Sequence, residues 1–213
     1  TILRASGNGA SELVSSVTSS IIGMQYNFQL LRFAGENGVA AYGVMMYVEF
    51  IFVAIFVGYS IGGAPIVGYH YGAENHAELK NMLRKSTRLM MGGGIGMAVI
   101  GQLLASPLAH LFVGYDAELC ALTISGFRIF ALAFVLLGFN IFASSFFTAL
   151  NNGAVSAAIS FLRTFIFKMS AVLLLPLVWG LAGVWWATVV AEVFAFALSV
   201  FFIVIKRGKY HYF

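Results

Sequence analysis

Few side chains in this sequence could do chemistry, and they stand where charge is costly. Glu49 sits in VMMYVEFIFVAIFVGY, Glu192 in WWATVVAEVFAFALSVFF, Arg163 and Lys168 in FLRTFIFKMS, and Arg128 in GFRIFALAFV. A charge at the centre of an apolar membrane helix costs about 2.5–3.5 kcal/mol, so none of these should face lipid unpaired. Two roles compete. One is a structural ion pair, such as Glu192 with Lys168 or Arg163 on the neighbouring span. The other is a carboxylate that takes up and releases a proton or Na⁺, with desolvation raising its pKa and a nearby cation lowering it. The span of Glu49 carries no cation near it, so Glu49 is read as an exchanging acid, and Glu192 is left between the two roles. Around Glu49, Tyr42, Met45, Met46, Phe52 and Phe56 share or flank one helical face. Polarizable and aromatic groups beside a carboxylate suit lipophilic organic cations, although such stripes are more often plain packing.

The elements that must hold these residues follow from composition. The 213 residues are 61% hydrophobic and 9% charged, with a mean hydropathy of +0.92. Soluble domains carry about 25% charged residues, so this chain cannot clothe a globular surface and is an integral membrane protein. Apolar runs recur about six times, over residues 13–34, 39–67, 89–108, 119–150, 155–179 and 181–205. About 20 residues of helix cross ~30 Å of hydrocarbon, and long runs without alternation exclude a β-barrel. The expected fold class is therefore all-α and polytopic.

Polar connectors at 35–38, 72–86, 112–118 and 151–153, and a break near Gly180, separate the runs. Arg4, then Lys80, Arg84, Lys85 and Arg88, then Lys206, Arg207 and Lys209 fall on one side. Arg32 with Glu36, and Asp116 with Glu118, fall on the other. The positive-inside rule places the first set, and both ends of the chain, in the cytoplasm. The net charge of +4 is thus read as topology rather than as a nucleic-acid surface. Residues 74–88 read either as an amphipathic helix on the membrane face or as an ordinary basic loop. The lone Cys120 excludes an internal disulfide, and no signal peptide is visible.

Polar faces recur inside the spans: Glu12, Ser16, Ser19, Gly23 and Asn27; Asn140, Ser144, Thr148 and Asn151; Ser156, Ser160 and Arg163. Serine and glycine alone are expected to pack helices closely; a face that also carries an ionised group is expected to meet water. Gly58, Gly62, Gly63 and Pro65 suit either a hinge or the end of the second span. The histidines are scattered, and no metal-ligand spacing, catalytic triad or phosphate-binding loop is present, so neither an enzyme nor an ATP-driven pump is expected.

The run GYSIGGAPIVGYHYGA at 58–73 resembles the motif that closes the eighth helix of multidrug and toxic compound extrusion (MATE) transporters. FRIFALAFVLLGFNIFASSFFTAL at 127–150 resembles the tenth helix, SFLR at 160–163 the eleventh, and GLAGVW at 180–185 the start of the twelfth. The likeness covers nearly the whole chain. It implies the C-terminal six-helix lobe of a twelve-helix antiporter, residues 1–213 forming that one lobe and the N-terminal lobe lying outside this chain. It implies export of amphipathic or cationic small molecules in exchange for Na⁺ or H⁺, in the cell membrane, with no other cofactor. Glu12, Glu49 and Glu192 fall where relatives carry acids, and become the candidate coupling residues. Met45, Met46, Phe52, Phe56, Asn140, Arg163 and Lys168 become candidate cavity residues. Two departures stand out. Ala64 replaces a common Gln before the motif's proline, and the eleventh helix lacks its usual proline near Met169 or Ser170 and carries Lys168 instead. A cation in the cavity would repel cationic drugs, which leaves anionic or neutral cargo open. Two other readings remain: a lipid-linked saccharide flippase, with Arg163 and Lys168 on a pyrophosphate, and a non-transporting split half.

Overall fold

The computed structural model describes the backbone of residues 2–212 and the side chains of residues 18–212. The described residues are helical, with short turns and no strand: α1 (Ile2–Gly72), α2 (His76–Val113), α3 (Ala117–Ala131), α4 (Phe134–Ala149), α5 (Gly153–Phe161), a π-helical turn (Leu162–Phe167), α6 (Lys168–Trp179) and α7 (Leu181–Tyr210). The fold class is the all-α, polytopic one expected. Counted by length and composition alone, four helices are apolar enough to cross a membrane, and a fifth crossing comes from α3 with α4, bent by 45° at their junction.

α1 supplies one more, because it doubles back. Gly35 has φ 60° and ψ −153°, a region that only glycine enters without strain. The rings of Tyr26 and Tyr42 stack with centroids 4.9 Å apart, whereas sixteen residues of straight helix would separate them by about 24 Å. Residues 18–34 and 36–72 are thus two antiparallel passes joined at one residue, and the bundle has six passes.

Elsewhere the turns are short and capped. Asn75 Oδ1 accepts from the Glu78 N–H, Asp116 Oδ1 from Glu118 and Leu119, and Asn152 Oδ1 from Val155. Each cap satisfies an amide that the first helical turn leaves unbonded. Gly180, at φ 56°, joins α6 to α7. The expected connectors at 72–86 and 112–118 therefore shrink to a few residues. The basic stretch 76–88 is neither a loop nor a separate surface helix; it is the first turns of α2. The Gly/Pro exit at 58–73 is likewise uninterrupted helix, with Pro65 inside it.

The passes are held by large aromatics against small residues. Phe52 meets Phe134 edge-on at 4.8 Å and Phe130 meets Phe134 at 5.9 Å, while Phe146 and Phe147 are fully buried further along α4. Gly94 on α2 lies against the α3–α4 junction: a Cβ there would come within 2.6 Å of the Val135 carbonyl oxygen. At that junction Leu132 and Ala133 donate to carbonyls three residues back, at Ile129 and Phe130. This tightened winding bends the pass without a proline. Tyr71 touches Tyr210, and His76 touches His211, at ring distances of 5.6 and 5.2 Å. Both basic clusters, at the start of α2 and the end of α7, therefore occupy one end of the bundle.

Candidate functional site

A cavity of about 800 Å³ opens between both passes of α1, α4 and the α5–α6 pass. That size lies within the range of small-molecule sites. Its charged groups are Glu49, Arg163 and Lys168, and its hydroxyls include Ser144, Ser160 and Thr164.

The π turn places the two cations. In an α-helix, residues five apart point about 140° away from each other. Winding with i→i+5 hydrogen bonds narrows that angle and brings such residues toward one face. Arg163 lies in that turn and Lys168 directly follows it, and both line the cavity. Each meets a carboxylate from a different helix. Arg163 Nε donates to Glu192 Oε1 at 2.9 Å and Oε2 at 3.2 Å. Asn140 Nδ2 donates to Glu192 Oε2 at 2.7 Å and to the Glu192 carbonyl at 3.0 Å. Lys168 Nζ donates to Glu49 Oε1 at 3.4 Å.

These pairs differ in kind. Glu192 is gripped by two donors, its side chain is 3% exposed, and it lies behind the wall rather than in it. Glu49 lines the cavity, has one longer contact, and its side chain is 12% exposed. Charge-assisted N–H···O bonds of full strength are about 2.7–2.9 Å, so the Glu49–Lys168 contact is the looser one. The sequence offered Glu192 either cation. The structure gives it Arg163 and sends Lys168 to Glu49, so the absence of a cation on its own span does not leave Glu49 without one.

The remaining candidates divide. Met46 lines the cavity, as does Ala64, the departure in the eighth-helix motif. Met45, Phe52 and Phe56 turn into the core instead. A Cβ on Gly126 would meet Met45 Cε at 2.7 Å, and one on Gly138 would meet the Phe56 ring at 2.5 Å. The reason is angular. Looking down the helix from Glu49, positions 45, 52 and 56 fall about 20–60° to one side, while 46, 53, 57 and 64 fall about 40–80° to the other. Glu49 stands at the border between core and cavity. Asn140 is fully buried and acts through Glu192 rather than on the cavity. Gly58, Gly62, Gly63 and Pro65 lie in continuous helix, Pro65 on the cavity wall. The Glu12 side chain lies outside the described residues. Arg128 is exposed on α3 and in neither ion pair.

Sequence reasoning missed the hydroxyl relay. Ser144 Oγ lies 2.7 Å from Ser160 Oγ and 3.0 Å from Ser156 Oγ, which is 2.7 Å from Thr148 Oγ1. The spacing of these residues was legible: the face with Asn140, Ser144 and Thr148 reads as packing and the face with Ser156, Ser160 and Arg163 as meeting water, and Ser144, Thr148 and Ser160 all line the cavity. The π turn left no sequence signal that separates it from α-helix.

The fold and this site define a polytopic helical membrane protein with a largely apolar cavity between its passes that carries an acid, two cations and several hydroxyls. The MatE family model matches residues 13–174, and the chain belongs to that family, one of transporters rather than enzymes. Similar solved structures include the outward-facing conformation of a multidrug resistance MATE family transporter of the MOP superfamily, 20% identical with a TM-score of 0.84, over 93% of this chain and 45% of that one. Another is the bent form of the Vibrio cholerae MATE transporter VcmN, at 22% and 0.82, over 96% and 45%. A third is a MOP superfamily transporter from Pyrococcus furiosus, for which reverse polarity of the binding pocket suggests a different function, at 20% and 0.83, over 93% and 45%. These likenesses are of fold. An uncharacterized 21 kDa protein in the iaaL 5′ region of Pseudomonas savastanoi is 32% identical over 112 residues, 52% of this chain and 36% of that protein. The chain thus spans less than half the length of the transporters it matches.

Proposed function

We propose that this chain is the C-terminal lobe of a secondary antiporter that exports amphipathic small molecules in exchange for Na⁺ or H⁺. An N-terminal six-helix lobe forms the other wall of the cavity. The basic end of the bundle faces the cytoplasm, which sets both ends of the chain there.

The observation that carries this reading is the loose Glu49–Lys168 pair in the cavity wall. A proton or Na⁺ on Glu49 competes with the Lys168 ammonium for the same oxygen. Uptake of the coupling ion therefore frees Lys168 and changes what the cavity offers a passenger. A ligand shifts a conformational equilibrium only through such a difference in affinity between states. Glu192 serves as the anchor that orients Arg163, while Glu49 exchanges; Glu12 is a further coupling acid from the family resemblance. Pro65, which removes one hydrogen bond, and Gly58, Gly62 and Gly63, which restrain the backbone least, give the helix after Glu49 the pliancy that a rocking motion needs. Because the cavity carries cations as well as an acid, passengers with both an apolar body and mixed charge suit it better than simple cations. The flippase reading is weaker, since Arg163 already holds Glu192 and the cavity offers no longer cationic track among the described residues.

The test is export from everted membrane vesicles, with a fluorescent zwitterionic fluoroquinolone as probe under an imposed Na⁺ or pH gradient. Glu49→Gln should abolish gradient-driven export with expression unchanged. Transport that persists at the original rate in that variant removes Glu49 from the mechanism.

A further inference from the structure

A second cavity, of about 440 Å³, lies on the outer side of the bundle between α2, α4 and α7. Its rim carries Lys80, Arg84 and Arg88, and its floor Phe139, Phe196 and Val200. Four-residue spacing puts the three cations in one stripe along α2. All three are exposed, none is in an ion pair among the described residues, and no acid lines the groove. On α4, Phe139 lies about 160° around the helix from Ile141, which faces the transport cavity. The groove therefore opens away from the side that a second lobe would cover.

We propose that this groove binds one anionic phospholipid, its phosphate held by Lys80, Arg84 and Arg88 and an acyl chain laid along Phe139, Phe196 and Val200. Depth supports the assignment. The cationic stripe covers about 12 Å of helix, enough to cross a headgroup layer of roughly 5–8 Å and reach the hydrocarbon edge, where Arg and Lys snorkel. Beside it, Phe201 and Val204 on α7 are exposed apolar groups, and Leu89, next along α2, begins the apolar surface beyond the stripe. At the other end, the Tyr212 hydroxyl donates to the Ile203 carbonyl at 2.9 Å and fixes the tail as one wall. A lipid there would clamp α2 to α7 at the basic end. The site rests on the proposed position of the second lobe but not on what the protein transports.

Native mass spectrometry of the protein in neutral detergent, titrated with phosphatidylglycerol, tests it. Lys80→Gln/Arg84→Gln/Arg88→Gln should weaken binding by roughly two orders of magnitude, at about a factor of five per cation. Lys206→Gln/Arg207→Gln/Lys209→Gln, with the same charge loss at the same end but outside the groove, should leave it unchanged. Val200→Trp, which fills the floor, should weaken the lipid while the rim cations remain. Phosphatidylcholine should bind poorly, and glycerophosphoglycerol, the headgroup without chains, should not compete. Equal losses in the two triple variants would reduce the effect to net charge and overturn the proposal. So would unchanged binding in Val200→Trp, or competition by the soluble headgroup equal to that of the lipid.

Discussion

At the scale of single residues, the two acids in the middle of the bundle make opposite predictions. Glu192 holds Arg163 and Asn140 in a nearly dry setting. Removing one partner of a buried pair strands the other, at a cost of about 3–5 kcal/mol. Glu192→Ala should therefore lower the melting temperature markedly in detergent. Glu49→Gln should leave it close to that of the parent, because one long contact at a cavity wall contributes little. Equal melting shifts in both would contradict the division into anchor and exchanging acid. The residue types at this site were legible in the sequence, since a carboxylate in a membrane span needs a partner or water. The partners were not. Whether Glu192 meets Arg163 or Lys168 depends on how the helix between them is wound, and LRTFIF at 162–167 reads equally well as α or π.

At the scale of helices, contact is set by where side chains are missing. Gly94, Ala98, Gly101, Ala105 and Ala109 are all buried along one face of α2. They let it approach the bent α3–α4 pass, as small residues do between membrane helices. Gly94→Val should destabilise the fold, since its Cβ would collide with backbone at Val135 and Phe134. Gly92→Val and Gly96→Val should be tolerated, because nothing lies within 4 Å of a Cβ at either position. Thermal melts of the three variants check this directly. The number of passes and their approximate order were readable from hydropathy alone. Their ends were not, because basic residues at the start of α2 and glycines at the end of α1 break the apolar pattern without breaking the helix.

At the scale of the whole molecule, six passes and short turns put successive connections at alternate ends. Replacing buried Cys120 by Ser gives a background free of cysteine. Single cysteines at the exposed positions Glu36 and Lys85 should then react with a membrane-impermeant maleimide from opposite sides. Labelling of both from the same side would undo the antiparallel reading of α1. The sequence leads to the same expectation, because basic residues cluster at one set of turns. It could not foresee that the first two passes join through Gly35 alone, since a polar stretch at 35–38 suggests a longer loop.

The winding at Leu162–Phe167 also bears on descent. A turn closed by i→i+5 bonds holds one residue more than an α-turn. Losing or gaining one codon there would swing Lys168 by about 100°. An in-frame indel can thus take a positive charge out of the cavity wall while every flanking amino acid stays the same, and a tally of substitutions between two such chains would record nothing.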